Sequence, residues 1–362
     1  MNVPVGSEFV DANEAVASNR PASTTPVLSA TIDALLTPGK GILAADESLQ
    51  NISRQFAALG VPSTAQNRRD YHEMLFATPE LDRRISGIIL FDETLNQVSA
   101  EGTPMVRFLE QRGLVPGIKV DQGTVALAGF LGEKITEGLD GLRERLVTYR
   151  GCGARFTKWR AVLSVDDHLP TPACVATNAD ALASFAALSQ EAGLVPIVEP
   201  EVTLDGSHTL TRCEEVTTAV LRRVFTALND RHVALELMLL KTGMVLSGRA
   251  CPEQAGHDQV AQATLRCLRR SVPAAVPGIV FLSGGQGDVA ATQRLSAICH
   301  DAQVPWRLTF SFGRALQAAA MGCWKGSPEN RVTVQQALFH RAQCNGLATE
   351  GRYSATADWA GC

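Results

Sequence analysis

With 362 residues, 45% of them hydrophobic and 19% charged, the chain can build a sizeable core as one large domain or two ordinary ones. A formal net charge of −4 gives no electrostatic reason to expect nucleic acid or an acidic membrane surface as partner. No apolar run approaches the length a membrane-spanning helix needs.

Residues 1–26 have no basic start followed by an apolar stretch, and they carry Glu8, Asp11 and Glu14. That fits neither a secretory leader nor a transit peptide, so the segment reads as a flexible polar arm. Leu28, Ile32, Leu35 and Leu36 then recur at helical spacing, and Pro38-Gly39 ends the pattern. Short apolar runs follow at Gly41–Asp46, Ile85–Phe91, Leu114–Asp121, Ala154–Arg160, Leu194–Glu201, Ala234–Lys241, Pro277–Gly285 and Trp306–Arg314. Starting roughly 30 to 45 residues apart, they match the repeat of a βα unit.

Between them, Leu139, Leu142, Leu146 and Tyr149 share one helical face, as do Val216, Val220, Val224 and Leu228. Ser327-Pro328-Glu329 reads as an N-cap followed by proline at the first helical position, opening one more helix after the last strand. Eight units without a composition break predict an α/β fold, a single (β/α)8 TIM barrel over residues 27–353 with an N-terminal arm and helix, an extra C-terminal helix, and a short tail over 354–362. No G-x-G-x-x-G follows the first strand, which argues against a dinucleotide site.

Nine cysteines without a C-x-x-C pair predict reduced thiols and a cytoplasmic setting. Seven histidines without ligand spacing give no support for a metal, and no cofactor is expected. The basic residues are 27 Arg and only 6 Lys, so each lysine invites a question. Lys119, Lys158 and Lys241 end apolar runs, where an amine, unlike a guanidinium, can lose its proton and attack a carbonyl. Lys134 and Lys325 read as ordinary surface lysines.

A barrel of this kind gathers its chemistry at the carboxyl ends of the strands. There the chain places Asp46, Lys119, Lys158, Arg160, Glu199, Glu201, Lys241, Ser283-Gly284-Gly285 and Arg314. Any one of them has a bland reading as a solvated strand end or turn; the joint pattern carries more weight. Ser283-Gly284-Gly285 can present backbone N–H groups to a phosphate, with Arg314 closing the cradle, and Lys119 with Arg160 can hold a second phosphate across the mouth. Two neighbouring buried amines, Lys158 and Lys241, disfavour each other's charge, so one should titrate low and act as nucleophile. Glu199 and Asp46 supply carboxylates for proton transfer.

The segments Pro38–Ser48 (PGKGILAADES), Gly87–Leu95, Val115–Asp121, Phe156–Arg160 (FTKWR), Gly193–Glu201 (GLVPIVEPE), Phe281–Gln286 and Phe312–Gln317 closely resemble those of class I fructose-bisphosphate aldolases, in the same order over roughly residues 27 to 353. The resemblance implies reversible cleavage of fructose 1,6-bisphosphate to dihydroxyacetone phosphate and glyceraldehyde 3-phosphate. It implies Lys241 as the Schiff-base lysine, Glu199 as the main proton-transfer carboxylate, Asp46 and Lys158 assisting bond cleavage, and Glu201 as a supporting acid. Ser283, Gly284 and Arg314 match one phosphate site, with Gly285 beside them, and Ser48, Lys119 and Arg160 line the other side. A cytoplasmic homotetramer is also implied.

Four features depart from the family pattern. Thr242-Gly243 replaces the usual Pro-Asn after Lys241, which should loosen that loop. Asn51, Arg54 and Gln55 stand where a second Ser and a Lys-Arg pair are usual, so recognition of the far phosphate is altered, with Arg54 placed to serve. The chain stops at Cys362 without the terminal Tyr of the animal and plant enzymes, and the N-terminal arm is longer than usual. Two other readings stay open: a Schiff-base aldolase for sedoheptulose 1,7-bisphosphate or fructose 1-phosphate, and a weakly active barrel that binds a sugar phosphate or a protein.

Overall fold

Parallel strands buried on both faces read as unbroken apolar runs, and each of the eight runs yields one. In the computed structural model, which describes residues 24–300, 302–354 and 356, the strands are β1 (Gly41–Ala45), β2 (Ile85–Leu90), β3 (Val115–Lys119), β4 (Thr124–Ala126), β5 (Lys134–Thr136), β6 (Phe156–Leu163), β7 (Val195–Val202), β8 (Leu239–Thr242), β9 (Gly278–Phe281) and β10 (Arg307–Phe312). Eight of them close a parallel barrel in the order β1-β10-β9-β8-β7-β6-β3-β2, with β1 bonded to both β2 and β10. The predicted (β/α)8 architecture is the observed one.

Alternation along each strand sorts its side chains. In β6, Trp159, Ala161 and Leu163 pack outward against the helical layer, and Thr157 donates to Ser189 of helix Pro172–Glu191 at 2.9 Å. Phe156 points inward, where it joins Ile42, Ala44, Ile89, Val195, Ile197, Leu239 and Val280. Leu28, Ile32, Leu35 and Leu36, from helix Thr24–Leu35 and the residue after it, close this interior from the amino-terminal end. Each such burial contributes about 1.5–3 kcal/mol. Two glycines make the close approach possible: a Cβ at Gly278 would overlap Leu36, and one at Gly117 would overlap the Phe156 ring.

Several local expectations are corrected. β6 and β7 continue to Leu163 and Val202, so Lys158, Arg160, Glu199 and Glu201 lie within strands rather than closing them. The run Ala234–Lys241 begins as a 3-10 turn, Leu235–Leu237, because the Gln190 side chain takes up the Ala234 and Leu237 carbonyls at 2.8 and 3.0 Å. Leu139 precedes helix Leu142–Gly151, whose start is set by Gly141 at φ 63°. Ser327 caps a 3-10 turn, Pro328–Asn330, ahead of the last helix, Arg331–Thr349.

The hairpin of β4 and β5 had no sequence signal strong enough to predict it. Cys152, Cys174, Cys213, Cys251, Cys267 and Cys299 are free thiols, whereas Cys323 is disulfide-bonded, which corrects the wholly reduced reading at that position. Residues 1–23 of the expected arm and 355 and 357–362 of the tail lie outside the described residues, and the first helix already begins at Thr24. Among the described residues, no helix is long and apolar enough to cross a membrane.

Candidate active site

Toward the carboxyl ends of the strands the inward positions turn polar. Asp46 follows Ala44, Lys158 and Arg160 follow Phe156, Glu199 and Glu201 follow Ile197, and Lys241 follows Leu239. The strand periodicity that packs the interior thus aims these groups into one cleft of about 1120 Å³. Its wall also includes Ser48, Arg54, Lys119, Ser283, Gly284, Gly285 and Arg314, so every residue predicted for the site borders one space.

At the centre, Glu199 is shared between two amines. Its Oε2 lies 2.9 Å from Lys158 Nζ and its Oε1 lies 3.2 Å from Lys241 Nζ. Lys158 also donates to Asp46 Oδ2 at 2.8 Å. All three of Lys158, Glu199 and Lys241 are buried. Burial pushes both lysines toward neutrality, but the outcome differs. For Lys158 the carboxylates of Asp46, Glu199 and Asp121 outweigh burial and hold the ammonium form well above the usual lysine range. Lys241 has only Glu199 nearby and Asp46 farther off, with Lys158 repelling its charge, so its pKa is lowered. The carboxylates respond in kind: Asp46 is lowered to about 2, since Lys158 and Lys241 together outweigh burial, and Glu199 is lowered for the same reason.

The two rims differ from this centre. Ser283 is followed by Gly284 at φ 57° and Gly285 at φ 84°, left-handed geometry that favours glycine, and the Gln286 N–H closes the turn on the Ser283 carbonyl at 3.0 Å. Arg314 opens helix Arg314–Trp324, and its guanidinium lies where a Cβ on Gly285 would meet it, at 3.1 Å. On the opposite rim, Lys119 is paired with Asp121 at 2.5 Å, and Arg160 is paired with Glu201. The Ser48 hydroxyl accepts from Asn51 N–H at 3.3 Å and caps helix Leu49–Ala58. Among the described residues Arg54 and Arg314 are in no ion pair, which leaves two uncommitted guanidiniums bordering the cleft.

Several groups escaped sequence reasoning. Glu47 borders the cleft, donates nothing, and accepts from Gln317 Nε2 at 2.7 Å, while its Oε2 is buried without a partner. Burial and the neighbouring Asp46 charge raise its pKa to about 7. The adjacent carboxylates of Asp46-Glu47 were the available signal; the packing of Gln317 against them was not. Ser311 also borders the cleft with its buried hydroxyl unpartnered. Lys134, read as a surface lysine, is exposed and stands at the cleft mouth, carried there by β5. Among the described residues, no group of three or more His, Cys, Asp or Glu side chains is arranged to hold a metal ion.

A buried amine of lowered pKa beside a carboxylate and a second, charged amine is equipped for imine chemistry on a carbonyl, in a cleft that arginine and lysine side chains also border. Known proteins agree with that chemistry. The family model described as fructose-bisphosphate aldolase class-I matches residues 27–361. A probable fructose-bisphosphate aldolase class 1 of Xanthomonas campestris pv. campestris is 49% identical over 327 residues, which is 90% of this chain and 98% of that protein. Fructose-bisphosphate aldolase C of Mus musculus is 47% identical, with 90% of each chain covered. The solved fructose-bisphosphate aldolase from Plasmodium falciparum, in complex with TRAP and a small-molecule inhibitor, superposes with a TM-score of 0.91 at 45% identity over 93% of this chain and 97% of its own. The chain belongs to the class I fructose-bisphosphate aldolase family.

Proposed function

We propose that Lys241 carries the covalent chemistry of this lyase on fructose 1,6-bisphosphate, with Glu199, Lys158 and Asp46 moving the protons. The neutral Lys241 amine adds to the C2 ketone and forms a carbinolamine. Loss of water, helped by a proton from the Glu199–Lys158 pair, leaves a protonated Schiff base on Lys241. That iminium is the electron sink. A carboxylate, Asp46 or Glu199, takes the C4 hydroxyl proton, the C3–C4 bond breaks, and its electron pair becomes the enamine. Glyceraldehyde 3-phosphate departs, C3 of the enamine is protonated, and water releases dihydroxyacetone phosphate and restores the amine. The charged Lys158 stabilises the negative charge that develops between the carboxylates.

Ser283, Gly284, Gly285 and Arg314 are the proposed cradle for one phosphate. Arg54, with Ser48, Lys119 and Arg160, is proposed for the other. Lys119 and Arg160 are engaged by Asp121 and Glu201, so they must exchange partners on binding, and Glu201 then acts as the residue that releases Arg160. The proposed catalytic unit spans residues 27–353, works in the cytoplasm without a cofactor, and assembles as a homotetramer.

The lowered pKa of buried Lys241, set against the raised pKa of Lys158 across one carboxylate, carries this assignment. Borohydride trapping with fructose 1,6-bisphosphate, followed by peptide mass mapping and a parallel assay in EDTA, tests it. An adduct on Lys241 with chelator-insensitive cleavage is expected. Folded protein that gives no adduct with any of several ketose phosphates would overturn it.

A further inference from the structure

Next to the cleft, and sharing Gly285 with it, lies another pocket of about 210 Å³. Two arginines border it, Arg249 and Arg294, together with the polar Ser247, Gln254 and Gln286. No carboxylate is among its lining residues. Arg294 projects from helix Asp288–His300, and its Nη1 donates to Gln286 Oε1 at 2.7 Å while its Nε is buried with no acceptor. No carboxylate pairs with it among the described residues, and burial lowers its pKa. Arg249 donates to the Gly285 carbonyl at 3.3 Å, and its one acidic neighbour, Asp205, stands 3.9 Å off with a side chain 86% exposed.

A partly buried guanidinium without a counterion, as at Arg294, is costly, and the exposed Arg249 guanidinium adds a second positive charge beside the same polar hollow. Both forks remain able to make charge-assisted hydrogen bonds to a tetrahedral or planar anion, which satisfies the orphaned Nε and supplies the absent negative charge. The hollow falls below the size of pockets that take drug-sized ligands, which selects a small anion. We propose that this pocket is a second anion site, for inorganic phosphate or a short-chain phosphomonoester, held by Arg249 and Arg294.

Its placement gives the site a consequence. Gly285 borders both the pocket and the cleft; its carbonyl accepts from Arg249, and a Cβ built on it would meet the Arg249 and Arg314 guanidiniums at 2.7 and 3.1 Å, so both arginines crowd the same side of this residue. An anion that draws Arg249 away from the Gly285 carbonyl alters the same left-handed turn that faces the cleft, so occupancy of the outer pocket couples to anion binding inside. The site itself does not depend on the roles assigned to Lys241 or Glu199.

Inorganic phosphate titrated calorimetrically into the wild-type protein, the Arg249→Gln/Arg294→Gln double variant and the Arg314→Gln variant tests the proposal. The expected result is three phosphate sites in the wild type, two in the cleft and one in the outer pocket. The double variant weakens one of them by roughly ten- to a hundredfold. Arg314→Gln weakens a different one, in the cleft, instead. Arg249→Gln alone, a change at an exposed side chain, keeps the test valid if the buried substitution unfolds the protein, and it should weaken the same site as the double variant. Unchanged stoichiometry and affinity in Arg249→Gln and in a folded double variant would sink the site. So would a single site in the wild type that Arg314→Gln alone removes. Because neither variant touches the amines, failure here leaves borohydride trapping at Lys241 unaffected, and the two ideas fall separately.

Discussion

Glu199 Oε1 stands 3.2 Å from Lys241 Nζ while Oε2 stands 2.9 Å from Lys158 Nζ, so one buried carboxylate separates two amines that titrate in opposite directions. Lys158 has Asp46 as a second carboxylate and stays charged; Lys241 does not, and burial with Lys158 repulsion lowers it. The asymmetry distinguishes the two lysines experimentally. Lys241→Met should abolish borohydride trapping and lower kcat by at least about three orders of magnitude. Lys158→Met should still trap substrate at Lys241, but with slow cleavage and about 3–5 kcal/mol lower stability from the uncompensated Asp46 and Glu199 charges. Trapping that moved to Lys158 in the Lys241 variant would contradict the assignment.

Glu199→Gln removes the acceptor of both amines at once. The loss of a general acid–base group predicts kcat down by about 10²–10⁴. Because the Glu199 charge raises the Lys241 pKa, its removal should lower that pKa further. The pH profile of Schiff-base trapping should therefore extend to lower pH in the variant than in the wild type. An unmoved profile would show that burial, not Glu199, governs Lys241.

Glu47 is the carboxyl whose titration falls nearest neutrality, at about 7 instead of 4.5. Its folded-state pKa is raised, so the folded protein holds this proton more tightly than the unfolded chain does. The stability it contributes is present below about pH 4.5 and is lost as pH rises through about 7. Glu47→Gln should therefore be more stable than the wild type at pH 8, by on the order of 3 kcal/mol, with little difference at pH 4. Its kcat/KM profile should also lose any inflection near neutrality. Chemical denaturation at the two pH values checks the first expectation.

His72 behaves in the opposite sense. It is buried, its Nδ1 lies 3.2 Å from Thr94 Oγ1, its ring stacks on Phe76, and burial lowers its pKa from 6.5 to about 4. The unfolded chain takes up this proton first, so stability is lost as pH falls from about 6.5 to about 4, by on the order of 3 kcal/mol. His72→Phe should flatten that part of the stability curve without changing kcat, since the residue lies outside the cleft.

Gly243, next but one to Lys241, has no positive φ, and a Cβ there would meet only Leu282 Cδ1 at 3.8 Å and the Val202 carbonyl at 3.9 Å. Gly243→Ala therefore fits without strain and should raise stability by about 0.4–1 kcal/mol by restricting the unfolded chain. An unchanged kcat would show that the looser Thr242-Gly243 connection is not used in turnover; a fall in kcat would show that it is.

The barrel was readable because its period is written in single residues: eight apolar runs, each followed by a helical pattern, and polar residues at the same inward register one or two positions past the last apolar one. Phe156, Lys158 and Arg160, or Ile197, Glu199 and Glu201, carry that message without any partner in view. Sequence also determined which residues share the cleft, since strand alternation and the common carboxyl end of a parallel barrel leave little freedom.

Pairing was decided only in three dimensions. That Lys158 holds Asp46 and Glu199 while Lys241 holds Glu199 alone, that Lys119 and Arg160 are occupied by Asp121 and Glu201, and that Gln317 donates to Glu47 all depend on how the strands and helices pack. Charge states and partner choices follow from distance and burial, which local pattern does not encode. Sequence alone determined the barrel and the contents of its mouth; tertiary structure decided which amine has its pKa lowered and which has it raised, because only packing sets how many carboxylates each one meets.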